Sequence, residues 1–125
     1  MNLNPAKKSD TGRLPAGNVI DLLHLNQYTL GDRALQAELL QLFRVQLKNQ
    51  TKSLVSCNTE NAWKSGVHTL KGAARAVGAG QVCEVAEAME WISFTDQAGR
   101  DTVLDQLKAA RAVLESHVEQ YLQYR

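Results

Sequence analysis

The sequence predicts an all-α protein, an antiparallel four-helix bundle with a short additional helix at its N-terminus. Four long segments carry apolar residues three and four positions apart, a spacing that places them on one face of a helix. Glycines separate these segments at Gly31, Gly78, Gly80 and Gly99, and no proline follows Pro15. No stretch shows the alternation of a half-buried strand. Short connections between long amphipathic helices favour antiparallel neighbours.

The first two predicted helices differ in length. The first covers about 18–24 and carries Val19, Ile20, Leu22 and Leu23. The second covers about 32–57, and Asp32 before it is a residue type that caps helix N-termini. Its apolar positions are Leu35, Leu39, Leu42, Phe43, Leu47, Leu54 and Val55.

The third predicted helix, about 59–77, has the clearest periodicity. Its core-facing stripe advances in steps of four, three, four and three through Trp63, Val67, Leu70, Ala74 and Val77. His68 lies about 100° around the helix from Val67, so it should border this stripe and reach solvent. The fourth and fifth helices are predicted at about 80–94 and 100–124 from the same spacing, with Val82, Val85, Ala86, Met89 and Ile92 in one and Leu104, Leu107, Ala110, Leu114, Val118, Tyr121 and Leu122 in the other.

Length and charge limit the class of protein. A chain of 125 residues suits one domain that buries roughly two-thirds of its unfolded surface. The formal net charge of +1 argues against a protein dominated by attraction to nucleic acid or anionic membrane. Both prolines lie within the first 17 residues, where little can be buried, so we expect a flexible tail at 1–17 and a bundle domain at 18–125.

Neither a membrane segment nor a metal site is expected. No apolar run approaches the roughly 20 residues that cross a bilayer, and the N-terminus lacks the apolar part of a secretory signal, which predicts a cytoplasmic protein. Cys57 and Cys83 lie in apolar helical contexts and are interpreted as reduced core residues. The sequence has no glycine-rich nucleotide loop and no metal-ligand cluster.

The most informative surface feature is a stripe around His68 on the third helix. Lys64, His68, Lys71 and Arg75 share one face at helical spacing, and Gly72 lies beside the imidazole. Such a stripe is usually only a solvated helix face. However, Gly66 and Gly72 both weaken this helix, and a glycine inside a helix costs roughly 1 kcal/mol relative to alanine. Open space above His68 explains Gly72, and a phosphoryl group is the occupant that the cations favour.

The run His68-Thr69-Leu70-Lys71-Gly72-Ala73-Ala74-Arg75-Ala76-Val77-Gly78 closely resembles the His-x-Leu-Lys-Gly signature of histidine-containing phosphotransfer (Hpt) domains. The resemblance extends over about 19–122. It implies a four-helix bundle with an added N-terminal helix, in which the signature histidine exchanges phosphoryl groups with receiver aspartates. It therefore implies a phosphocarrier without kinase activity, and a phosphorelay intermediate in two-component signalling.

The resemblance also implies roles for individual residues. His68 is expected to accept the phosphoryl group, Lys71 to be the nearby cation, and Gly72 to leave room for the phosphate and the partner. The attacking group must be the neutral imidazole, which histidine offers near neutral pH. Glu90 matches a carboxylate of the chemotaxis-kinase relatives that holds the other ring nitrogen, so a hydrogen bond from Nδ1–H to Glu90 would leave Nε2 to attack.

The expected partners are receiver domains of response regulators and a hybrid sensor histidine kinase. No cofactor is expected in this chain, because Mg²⁺ would come with the receiver's acidic pocket. Lys64 and Arg75 are weaker candidates for partner contact, and a monomer is the expected state. By analogy with family docking surfaces, candidate apolar contacts are Leu22, Leu23, Leu40 and Phe43. Trp63 and Trp91 are interpreted as large core or rim aromatics rather than partner contacts.

Two other functions stay open from the sequence. In a close variant, a partner kinase phosphorylates His68 directly, as in chemotaxis. In a different class, the chain is a helical binding module without phosphotransfer, whose basic face of Lys64, Lys71 and Arg75 meets an acidic protein or nucleic-acid phosphates. Phosphate-backbone binding would weaken strongly with salt and survive His68→Gln, whereas phosphotransfer would not survive it.

Overall fold

The computed structural model describes residues 17–124, which form five helices and no strand. They are α1 (Leu22–Tyr28), α2 (Arg33–Ser56), α3 (Glu60–Val77), α4 (Gly80–Glu90) and α5 (Gln97–Tyr124). Residues 1–16 of the predicted tail lie outside the described residues. The predicted all-α class is confirmed.

The four long helices form an antiparallel ring. The contacting pairs are α2 with α3, α3 with α4, α4 with α5, and α5 with α2. Short connections at 57–59, 78–79 and 91–96 reverse the chain each time. The buried interior is mostly apolar and includes Leu40, Phe43, Leu47, Leu54, Trp63, Val67, Leu70, Ala74, Val82, Val85, Met89, Val103, Leu107, Leu114 and Val118.

Helix α3 is held at both ends by local signals. Thr59 caps its start by accepting a hydrogen bond from the Ala62 N–H at 3.1 Å. Gly78 ends it in the left-handed conformation at φ +76°, where the Ala79 N–H returns to the Ala74 carbonyl at 2.8 Å. This pattern is a Schellman cap, which favours glycine because a side chain is strained there.

Helix α1 begins later than the sequence predicts, at Leu22 rather than Asn18. Residues 17–20 are not helical, and Asp21 caps the helix by accepting from the His24 N–H at 3.1 Å. The backbone N–H of Asp21 donates to the Gly78 carbonyl at 2.8 Å, and His24 Nε2 lies 3.2 Å from the Ala76 carbonyl oxygen. Helix α1 is therefore fastened to the C-terminal end of α3.

A buried polar network connects α1 with α2 and α5. The side-chain amide of Gln36 donates to Asn26 Oδ1 and to Thr29 Oγ1, both at 3.0 Å. The Tyr121 hydroxyl donates to Gln36 Oε1 at 2.5 Å. Gln36 and Thr29 are buried, so these bonds compensate for their loss of water.

The fourth and fifth helices depart from the predicted bounds at the turn between them. Helix α4 ends at Glu90 instead of 94, and α5 begins at Gln97 instead of 100. Asp96 accepts from the Gly99 N–H at 2.9 Å and so caps α5. Residues 91–94, which were predicted to extend α4, belong instead to the connection 91–96, which lies beside the N-terminal half of α3.

Candidate functional site

His68 lies on the solvent face of α3. The buried stripe that includes Val67 sets the rotation of the helix, and His68 follows it by one position and is exposed. Within residues 17–124, the structure shows no hydrogen bond or ion pair to the His68 ring. Both ring nitrogens are therefore available, as a nucleophile that meets a partner requires.

The two glycines inside α3 have different environments. A Cβ added at Gly66 would lie 2.8 Å from Leu54 Cδ2, so Gly66 permits the close approach of α2 and α3. A Cβ added at Gly72 would meet no atom within 4 Å. Side chains on a helix lean toward its N-terminus, so a side chain at Gly72 would extend over the turn that carries His68. The expected clearance holds for Gly72, whereas Gly66 is explained by packing.

Glu90 pairs with Lys71 rather than with His68, which corrects the predicted contact. Lys71 Nζ lies 2.9 Å from Glu90 Oε1 and 2.8 Å from Oε2. The pair joins α3 to the end of α4, with the lysine side chain mostly buried and the glutamate more exposed. An ammonium group attracts a carboxylate more strongly than a neutral imidazole does, so Lys71 takes the carboxylate that was expected to orient His68.

The other two cations of the stripe also have glutamate partners. Lys64 Nζ lies 3.2 Å from Glu60 on the preceding turn, and Arg75 Nη2 lies 3.4 Å from Glu87 on α4. Both pairs are exposed, and each stabilises the fold by at most about 1 kcal/mol. The face around His68 therefore carries balanced charge instead of a positive field.

A groove opens beside His68 where α4 stops short. Its volume is about 490 Å³, and it lies between the N-terminal half of α3 and the connection 91–96. His68, Trp63 and Val67 line one side. On the other side, the Trp91 side chain is 87 % exposed, in contrast to Trp63 at 2 %. Sequence reasoning missed this groove because it extended α4 through these residues.

The predicted apolar docking residues divide into exposed and buried positions. Leu22 and Leu23 on α1 are 50 % and 68 % exposed. Leu40 and Phe43 are 1 % and 2 % exposed, so their assignment to a docking surface is wrong. They face the core because the buried stripe of α2 runs through 36, 40, 43 and 47. The exposed apolar residues of α2 are instead Leu35, Leu42, Val45 and Val55.

The docking residues of α1 are separated from His68 along the bundle. The contact between Asp21 and Gly78 places the start of α1 at the end of α3. Gly78 follows His68 by ten residues, which corresponds to about 15 Å along a helix. A partner that contacts both Leu23 and His68 must therefore span this distance.

The remaining candidate features are structural. Cys57 and Cys83 are free thiols that pack against the edge of the core. No group of three or more histidine, cysteine, aspartate or glutamate residues comes together among residues 17–124 in a way that could hold a metal ion. Among the helices in that span, none is long and apolar enough to cross a membrane.

A family model described as Hpt domain matches residues 32–123. The chain belongs to the Hpt domain family. The match begins at the N-cap of α2 and contains α2, α3, α4 and all but the last residue of α5, and therefore also His68. Hpt domains are phosphocarrier modules of two-component and phosphorelay signalling and have no kinase activity. No curated protein and no solved structure matches the chain.

Proposed function

We propose that His68 accepts a phosphoryl group from a receiver-domain aspartate, or from a partner kinase, and passes it to the aspartate of a response regulator. The observation that carries the proposal is the exposed, unpartnered imidazole with open space at Gly72, on a helix of an Hpt domain. A phosphoryl donor on another protein must approach in line with a ring nitrogen, and this surface leaves that approach free.

The transfer needs only one bond made and one bond broken. The lone pair of a His68 ring nitrogen attacks phosphorus while the bond from phosphorus to the aspartyl oxygen breaks, and its electrons return to the carboxylate. In the second transfer the carboxylate of the next receiver attacks, and the electrons of the P–N bond return to the imidazole. Catalysis is then mainly positioning and charge neutralisation. We expect Mg²⁺ to come with the receiver.

Lys71 is the cation nearest in sequence to the reacting ring on this face. A phosphoryl group adds a charge of roughly −1.5 to −2, by analogy with other phosphorylated side chains. An ammonium group has three donors, and two carboxylate oxygens already engage Lys71. When His68 is phosphorylated, the phosphoryl group and Glu90 compete for Lys71. We infer that this competition adjusts how strongly the chain retains the phosphoryl group.

The alternative of a basic binding module loses its support in the structure. Lys64, Lys71 and Arg75 each pair with a glutamate, so nucleic-acid phosphates would meet a face of balanced charge. The variant with direct phosphorylation by a kinase was favoured by Glu90, which matches the carboxylate of the chemotaxis-kinase relatives. Here the Glu90 carboxylate meets Lys71 instead of His68. We therefore place receiver domains first among the partners.

The experiment compares two exposed histidines. The chain is incubated with a phosphorylated receiver and its kinase, and the acquired label is tested for acid lability and alkali stability, both of which characterise phosphohistidine. His68→Gln should take up no label, while its circular dichroism remains that of the wild type. His117→Gln, at an exposed position on α5, should be labelled normally. Labelling of His68→Gln at the wild-type level would overturn the proposal.

A further inference from the structure

Trp91 is the most exposed aromatic side chain next to the proposed phosphorylation site. Its indole is 87 % exposed, and the residue directly follows Glu90 at the end of α4. Single exposed apolar residues are common on protein surfaces. A tryptophan at the edge of a groove is different, because tryptophan is enriched among the residues that dominate protein–protein binding.

The groove beside Trp91 has an apolar floor and charged edges. Buried Trp63, Val67 and Met89 form the floor. Ile92 and Phe94, both partly buried, continue it toward α5. The volume of about 490 Å³ falls within the range of about 300–1,000 Å³ in which pockets hold whole small molecules. It can therefore accept at least one large apolar side chain.

The connection that carries Trp91 is fastened to the bundle. The Trp91 N–H donates to the Ala88 carbonyl at 3.1 Å. The Phe94 ring lies under the Arg100 guanidinium, 4.3 Å from its centroid, and the same guanidinium lies 5.7 Å from the Trp63 ring. The Asp96 N–H donates to the Ser93 carbonyl at 2.9 Å. A backbone ordered in this way loses little entropy when a partner binds.

The charges around the groove select an apolar contact. Glu60 and Lys64 pair with each other across one turn, and Glu90 pairs with Lys71. These pairs leave little field to attract a strongly charged segment. The exposed indole and the apolar floor contribute to the free energy of binding when an apolar group displaces water from them.

The position of His68 indicates which molecule occupies the groove. His68 lines the same groove as Trp91, so a protein whose aspartyl phosphate reaches His68 also covers the groove. A second copy of this chain, or residues 1–16, seated there would lie over the histidine and block transfer. A stable protein–protein contact buries about 800 Å² on each partner, which an imidazole alone cannot supply.

We propose that the receiver partner inserts an apolar side chain, from the surface next to its phosphorylated aspartate, into the groove against Trp91. Trp91 is then a docking residue that determines affinity for the receiver and takes no part in the chemical step. This inference rests on the proposed function of His68.

The test separates docking from chemistry by using two phosphoryl donors. Phosphoramidate, a small P–N donor, needs no docking surface, whereas a phosphorylated receiver does. Trp91→Ala should be labelled by phosphoramidate at the wild-type rate, but its affinity for the receiver should fall about 30-fold. Val113→Ala, at a half-exposed position on α5, should match the wild type with both donors. Wild-type receiver affinity in Trp91→Ala would overturn the inference, and so would loss of phosphoramidate labelling.

Tryptophan fluorescence gives a second, independent measurement. The receiver should shift the Trp91 emission to shorter wavelength and protect it from a soluble quencher. The chain has two tryptophans, so Trp91→Phe retains only Trp63 and supplies the background to subtract. His68→Gln should show the same shift, because it retains the groove. If that variant binds normally but is still phosphorylated, the proposed function fails and the docking surface stands. A Trp91 emission already protected without receiver would mean that the chain itself or a second copy fills the groove, which would overturn the inference.

Discussion

The ammonium group of Lys71 lies 2.9 and 2.8 Å from the two carboxylate oxygens of Glu90. Lys71 follows His68 by about one turn of α3, and Glu90 is the last residue of α4. This pair connects the proposed acceptor helix to the end of α4, where the groove begins. Lys71 follows His68 by three residues, so the pair keeps its cation on the face of α3 that carries the proposed acceptor. It also places a carboxylate where the phosphoryl group would bring more negative charge.

Removing the Glu90 charge should favour the phosphorylated state. In Glu90→Gln, Lys71 is released to the phosphoryl group, and a repulsion is removed. Partly exposed ion pairs contribute up to about 1 kcal/mol. At equilibrium, the ratio of label on His68 to label on the receiver should therefore rise about two- to fivefold relative to the wild type. Quantifying label on both proteins at equilibrium measures this. Glu87→Gln, which removes the partner of Arg75, is the matched control. A share of label on Glu90→Gln at or below the wild-type share would contradict the proposed competition for Lys71.

The two glycines of α3 should respond oppositely to alanine. Gly72→Ala should raise the free energy of unfolding by up to about 1 kcal/mol, because it improves helix propensity and meets no atom within 4 Å. Gly66→Ala improves helix propensity equally, but it places a methyl group 2.8 Å from buried Leu54. Such overpacking costs about 1–3 kcal/mol. Urea unfolding should therefore find Gly66→Ala less stable than Gly72→Ala by about 1–3 kcal/mol.

A larger side chain at Gly72 tests whether phosphotransfer needs the open space at this position. Gly72→Gln keeps a good helix former but fills the space above the His68 turn, so transfer from a receiver should slow at least about tenfold while the helix content is unchanged. Transfer at the wild-type rate would show that partners do not use this space.

Two of the three leucines that were predicted to dock should differ in their effect on stability. Leu40→Ala removes a core side chain and should lower the free energy of unfolding by about 2–5 kcal/mol. Leu23→Ala, at an exposed position, should change it by no more than about 0.5 kcal/mol. Chemical denaturation of both variants measures the difference. Equal stabilities would mean that Leu40 does not lie in the core.

The buried network at α1 should depend on one hydroxyl group. Tyr121→Phe removes the donor to Gln36 Oε1 and leaves that buried oxygen without this bond, at a cost of about 1–2 kcal/mol in the free energy of unfolding. Tyr28→Phe changes an exposed tyrosine and should be nearly neutral. A neutral Tyr121→Phe would show that water replaces the lost donor.

Periodicity predicted α3 well because its signals agree with each other. The stripe from Trp63 to Val77 has one orientation, Thr59 caps its start, and Gly78 ends it. Helix α2 was harder, because Leu40 and Phe43 face the core while Leu35 and Leu42 are exposed, and all four fit a helical spacing. Only the neighbouring helices decide which of two adjacent apolar faces is covered.

The end of α4 could not be predicted for a related reason. Ile92 continues the apolar spacing of Val85 and Met89, and no glycine or proline interrupts it. The helix stops because the chain must turn toward α5, whose start is capped by Asp96. That turn exposes Trp91 and creates the groove. No residue near Trp91 in the sequence indicates this exposure, so Trp91 was interpreted as a core or rim aromatic.

The sequence by itself determined the helical class, the antiparallel order and the position of His68 on an exposed face, because spacing and capping act over a few neighbouring residues. The tertiary structure decided which glutamate each cation meets, which apolar residues lie in the core, and where α4 ends. These features depend on distances between helices that are far apart in the chain. Residue spacing along a single helix therefore cannot determine them.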